Sequence, residues 1–132
     1  MEEKKIYKVL IIDDDKFLLD VYSVKFRGAG HTVEVAFGGA EALEKIEKSD
    51  DFDAIVMDIV MPNMDGFEFL EALRKKGFAK KSSLVVLTNQ GEQKDVERVK
   101  EFDVDGYIVK ASTVPSDVLA EVTRIIENSK KK

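Results

Sequence analysis

Five short apolar runs, Lys8 to Ile12, Thr32 to Ala36, Ala54 to Met57, Leu84 to Leu87 and Tyr107 to Val109, recur along the chain with helix-spaced segments between them. They are rich in Val and Ile and bounded by Gly, Asp or Asn, the pattern of β-strands. Runs one, three and four are nearly continuous in apolar residues, as strands covered on both faces are; run two alternates more, as an edge does. The intervening stripes are Phe17, Leu18, Val21 and Val24; Ala40, Leu43 and Ile46; Phe67, Leu70 and Leu73; Val96, Val99 and Phe102; and Val118, Leu119, Val122, Ile125 and Ile126. Gly28, Gly30 and Gly77 stand where helices end, and Pro115 where one begins. Each parallel strand pair needs a right-handed crossover, so the alternation predicts a doubly wound α/β domain with a parallel sheet ordered 2-1-3-4-5.

The 132 residues leave room for one domain, expected over 1–132 with its core from about 8 to 128. With 44% hydrophobic and 36% charged residues the chain has an ordinary soluble composition, and a net charge of −5 argues against nucleic acid as a direct partner. There is no cysteine, which excludes disulfides and thiol chemistry and makes the cytoplasm the natural compartment. No apolar stretch reaches membrane-spanning length, and the charged start is unlike a signal peptide, so no membrane partner is expected.

Chemistry concentrates at the C-terminal ends of the runs, where Asp13, Asp14, Asp58, Thr88 and Lys110 sit. In a parallel sheet those ends share one edge, and residues remote in sequence converge on one ligand there. Adjacent carboxylates repel, so an ionised cluster calls for a cation; Mg²⁺ suits it, because that ion takes oxygen ligands and completes its shell with water and phosphate. Asp15 reads as a helix N-cap, whereas capping does not explain Asp13 and Asp14 together. Thr88 alone would pass as β-branched strand filler and Lys110 as a solvated charge; their co-occurrence at the ends of runs four and five points to phosphoryl oxygens.

These residues resemble the receiver domain of bacterial two-component response regulators, from about Lys8 to about Asn128. Val9-Leu10-Ile11-Ile12-Asp13-Asp14-Asp15 is similar to the acidic-pair strand of that family, and Asp58-Ile59-Val60-Met61-Pro62-Asn63-Met64-Asp65-Gly66 to its phospho-acceptor loop. Thr88 and Tyr107-Ile108-Val109-Lys110 complete the pattern. The resemblance implies a flavodoxin-like fold and a protein that takes a phosphoryl group from a sensor histidine kinase or phosphotransfer protein onto Asp58. It implies Mg²⁺ held at Asp14, Asp58 and the Val60 carbonyl, with Asp13 acting through water, and Thr88 and Lys110 on the phosphoryl oxygens. Tyr107 would be a switch aromatic coupled to Thr88, and the face of helix four, strand five and helix five the output. Such proteins are monomers or phosphorylation-dependent dimers, and kinase recognition involves helix one and the strand-five loop.

The chain departs from the family pattern at Ala111, where many members carry Pro after the Lys, commonly with a cis bond. A cis bond before Ala costs about 2.5–4 kcal/mol, so a trans peptide is expected, with Lys110 still aimed at Asp58. Val60 and Gln90 flank the path of the attacking water by the same alignment, and Gln90→Ala is expected to slow hydrolysis of phospho-Asp58. His31 reads as a solvated residue at the start of strand two. Lys75, Lys76, Lys80 and Lys81 read as cations complementing a helix C-terminus. A haloacid-dehalogenase-like phosphatase, with Asp13 as nucleophile, leaves the Met-Pro-Asn-Met-Asp-Gly run unexplained, and a pseudo-receiver leaves all five site residues unexplained. No effector segment follows Asn128, which fits both a single-domain regulator and an excised receiver.

Overall fold

A computed structural model describes residues 5–89 and 93–130. The strands are β1 (Lys8–Ile12), β2 (Thr32–Ala36), β3 (Ala54–Met57), β4 (Ser83–Thr88) and β5 (Gly106–Val109). They alternate with α1 (Lys16–Gly28), α2 (Gly39–Lys48), α3 (Gly66–Lys76), α4 (Gln93–Lys100) and α5 (Pro115–Lys130), and a 3₁₀ turn over Lys110–Ser112 follows β5. All neighbouring strands are parallel, in the order β2-β1-β3-β4-β5.

Alternating side chains of each strand feed two apolar layers. Val9 and Ile11 of β1 join Val56, Val85, Leu87 and Ile108 under α1 and α5. Leu10 and Ile12 point the other way and join Ile55, Met57, Leu84 and Val86 under α2, α3 and α4. Strands β3 and β4 are buried along their whole length, as unbroken apolar runs require, whereas edge strand β2 exposes Thr32 and buries Val33 and Ala36.

Local signals set the helix ends. Asp15 caps α1, its carboxylate accepting from the Leu18 amide at 3.2 Å. Asp65 and Glu68 form a capping box at α3, and Gly77 ends that helix in the left-handed region at φ 72°. Arg74, Lys75 and Lys76 occupy the last turn of α3, where cations oppose the negative end of the helix dipole.

Two expectations are corrected here. The face of α1 turned to the core carries Leu19, Tyr22, Ser23 and Phe26. Of the expected stripe, Leu18 and Val21 are only half-buried, while Phe17 is 73% and Val24 70% exposed. The segment is apolar on both sides, so spacing alone offered two stripes, and the one with the two large aromatics fills the space above the sheet. Likewise α2 buries Ala42 and Ile46, while Ala40 faces outward. His31 is buried and not solvated: its Nδ1 accepts from the Tyr7 amide at 3.1 Å, and its ring stacks on Tyr7 at 5.5 Å. An imidazole beside an edge strand here satisfies an amide that β2 leaves unpaired.

The fold also carries a device absent from the sequence reading. At the N-terminal sheet edge, Asp53 accepts from the Lys8 amide and Asp105 from the Leu84 amide, both at 2.8 Å, and Asp50 accepts from the Ala79 amide at 3.0 Å. Carboxylates thus finish the ladder where the strands begin.

Candidate functional site

Register builds the site. Ile12 pairs with Met57, Met57 with Val86, and Thr88 with Val109, so the next residues on β1, β3 and β5 emerge together above the sheet. The ladder runs one bond further on each side of β1: the Asp13 amide donates to the Ala36 carbonyl and the Asp58 amide to the Ile12 carbonyl. Both aspartates are therefore fixed in backbone before any side-chain contact forms.

Four of the five strand-end residues, Asp13, Asp58, Thr88 and Lys110, meet directly. Asp58 Oδ1 accepts from Thr88 Oγ1 at 2.7 Å and from the Val60 amide at 3.0 Å. Asp58 Oδ2 accepts from Lys110 Nζ at 2.7 Å, and the same ammonium donates to Asp13 Oδ2 at 2.5 Å. Asp13 Oδ1 accepts from the Asp15 amide at 2.9 Å. Asp13, Asp58 and Thr88 are buried, and Asp14 stands exposed at the rim. Asp13, Asp14 and Asp58 each offer a carboxylate oxygen within 4.8 Å of the others, a donor set that fits a divalent cation favouring hard oxygen ligands.

The electrostatics follow from packing. Burial pushes the Asp13 carboxyl above its ordinary range, although the Lys110 ammonium and the Asp15 amide pull it down. Burial pulls the Lys110 ammonium down, but its bonds to Asp13 and Asp58 outweigh this and hold it above the ordinary lysine range. That cation therefore remains charged at neutral pH. Every peptide bond described is trans, including Lys110–Ala111, and the 3₁₀ turn carries the chain away from β5 while the ammonium stays on Asp58.

Gly66 positions the acceptor loop. Its amide donates to the Ile59 carbonyl at 2.7 Å, and a Cβ there would lie 2.6 Å from the Ile59 Cα and 2.8 Å from the Asp58 carbonyl oxygen. Both neighbours are backbone, so the loop closes this tightly only over glycine. Val60 exposes its side chain at the rim; its contribution to Asp58, the amide, was invisible to residue-type reasoning, because every residue but proline has one. Tyr107 is half-buried against the layer that contains α3 and α4, and burial pushes its phenol up, with Asp95 and Asp58 adding to the effect. Gln90 lies outside the described residues.

Such a sheet with such an edge defines a class of α/β domain whose acidic pocket fits a divalent cation and a phospho-aspartate. The comparisons narrow it. The sequence model of the response regulator receiver domain matches residues 9–123. Regulatory protein VanRc of Enterococcus gallinarum is 30% identical over 87% of this chain and 48% of its own length. Response regulator MprA of Mycobacterium ulcerans is 33% identical over 93% and 51%. Among solved structures, chemotaxis protein CheY4 of Vibrio cholerae superposes with a TM-score of 0.83 at 33% identity, covering 92% of this chain and 99% of that one. The chain belongs to the response regulator receiver domain family, the phosphorylation-dependent signalling modules of two-component systems. It spans about half the length of the curated relatives named above.

Proposed function

We propose that the chain accepts a phosphoryl group on Asp58 from a phosphohistidine of a sensor kinase or phosphotransfer protein, and that it catalyses both this transfer and the later hydrolysis. The observation that carries the reading is the pair of contacts on Asp58, with Thr88 on one oxygen and Lys110 on the other. An Asp58 oxygen attacks phosphorus, the bond from phosphorus to the imidazole nitrogen breaks, and the histidine leaves with the electron pair. Phosphoryl transfer depends mainly on alignment and on neutralising oxygen charge. Lys110 supplies one fixed positive charge for this, and Thr88 a hydroxyl donor. Asp13, Asp14, Asp58 and the Val60 carbonyl would hold Mg²⁺, which supplies further charge neutralisation when bound.

The output follows from Thr88. Its hydroxyl is committed to Asp58 before phosphorylation; drawn onto a phosphoryl oxygen, it releases space for Tyr107 and shifts the population of the α4, β5 and α5 face. The whole chain acts as one receiver domain with its core over about residues 8–128, and the cytoplasm is the compartment where such a phosphodonor would meet it. Among the described residues no helix is long and apolar enough to cross a membrane.

Mass-spectrometric mapping of the acyl phosphate after treatment with acetyl phosphate tests the reading. Label on Asp58 that needs Mg²⁺ and disappears in Asp58→Asn is expected. Label on Asp13 would instead mark a dehalogenase-type phosphatase, and the absence of any label a pseudo-receiver.

A further inference from the structure

Tyr22 stands on the buried face of α1 and is only 3% exposed, yet its hydroxyl makes no hydrogen bond among the described residues. Tyr7, another buried phenol, donates to Glu127 at 3.3 Å. Buried phenols normally find a partner, so the hydroxyl of Tyr22 calls for a reason.

The fold places it under the acidic pocket. Tyr22 lies in the apolar layer that holds Ile11, Val56 and Ile108. Strand side chains alternate, and the ladder continues to Asp13 and Asp58, so the residues two positions on, Asp13, Asp58 and Lys110, leave the sheet toward this same layer. Thr88, two positions after Val86, leaves toward the opposite one. Helix α1 starts at the pocket end of the sheet, and long helical side chains lie back over the preceding turn, so the Tyr22 phenol extends toward the pocket floor. Its electrostatics agree: burial pushes the phenol up, Lys110 opposes this, and Asp13 and Asp58 add to it.

As it stands, Lys110 joins Asp13 Oδ2 to Asp58 Oδ2, and Asp13 Oδ1 is taken by the Asp15 amide. A phosphoryl group on Asp58 carries its oxygens further out than the carboxylate oxygen that Lys110 now holds. Drawing the ammonium onto them loosens its hold on Asp13, whose side chain is 4% exposed and then needs another donor. We propose that Tyr22 is a positioning residue of the phosphoryl site: its hydroxyl donates to Asp13 once Lys110 has turned to the phosphoryl oxygens, and so keeps the ammonium with them. This role rests on Asp58 being the phospho-acceptor.

Beryllofluoride with Mg²⁺ stands in for the phosphoryl group in the test. Tyrosine labelled with ¹³C at Cζ gives three signals to follow, and Tyr22→Phe identifies the one that belongs to Tyr22. That signal should move when beryllofluoride binds. Tyr22→Phe should weaken beryllofluoride binding about tenfold, the loss of a hydrogen bond to a charged group, while its urea midpoint in divalent-free buffer does not fall, because the resting hydroxyl has no bond to lose. In an Asp13→Ala background the same substitution should change the affinity by less than about twofold, since the acceptor is already gone. An unmoved Tyr22 signal, an affinity equal to wild type, or a tenfold loss that persists without Asp13 would each overturn the proposal; a lower urea midpoint with unchanged affinity would assign Tyr22 to packing alone. A wild-type chain that takes no beryllofluoride would overturn the acceptor role of Asp58 itself, and the role of Tyr22 with it.

Discussion

At the scale of single residues the pocket is a contest between like charges and one lysine. Lys110 bridges Asp13 and Asp58, and all three are largely removed from water. Taking one partner from a buried ion pair costs about 3–5 kcal/mol, so Lys110→Met should lower the urea midpoint of the chain in divalent-free buffer by an equivalent amount, and Mg²⁺ should recover much of it. An unchanged midpoint would mean that the two carboxyls share a proton instead. Asp13 gives a second expectation. Its folded pKa stands above its unfolded value, so its contribution favours the fold below about pH 4 and is lost as pH rises through the raised value. Stability in divalent-free buffer should carry that loss on the way to neutrality, and Asp13→Asn should reduce it. Denaturant titrations at a series of pH values measure the slope, and an equal slope in wild type and variant would contradict the assignment.

At the scale of elements, legibility followed the number of independent signals. The strands read correctly to within a residue because apolar runs, β-branching and flanking turns agreed, as at Ala54–Met57. Helix α1 misled because Phe17, Val21 and Val24 compete with Leu19, Tyr22 and Phe26 for the same periodicity, and only the packed volume over the sheet decides between them. The roles of the Asp50, Asp53 and Asp105 carboxylates were not legible in the sequence, because their partners are backbone amides remote in sequence. The site residues were legible because their positions at strand ends converge whenever the sheet is parallel. His31 illustrates a burial that residue type and position did not reveal: His31→Ala should cost about 2 kcal/mol, chiefly from the buried Tyr7 amide left without an acceptor, as read by equilibrium unfolding. Gly66→Ala tests the acceptor loop. Its methyl meets backbone on two sides, so a loss of about 1–3 kcal/mol is expected together with slower labelling of Asp58; full labelling at the wild-type rate would show that the loop has slack.

At the scale of the whole molecule, a cation that binds the folded chain alone stabilises it by mass action, about 2.7 kcal/mol at a hundredfold excess over its dissociation constant. For a chain of this size that is a rise of roughly 10 °C in the midpoint of thermal unfolding. Mg²⁺ should produce it, and Asp14→Asn should remove most of the rise while leaving the metal-free midpoint nearly unchanged, since Asp14 is exposed. A rise that survives in that variant would take Asp14 out of the ligand set. The contact between Lys110 and Asp13 joins residues 97 apart in sequence, and that between Lys110 and Asp58 joins residues 52 apart. Non-local contacts of this kind form late, because the loops they close must first lose their freedom. On a ribosome the chain emerges from its N-terminus, and β1 to β4 leave the tunnel before the lysine that completes the pocket. A nascent chain thus carries every carboxylate of the pocket before it carries the charge that lets them coexist. Competence to receive a signal arrives with the last strand, so an unfinished molecule stays silent by construction.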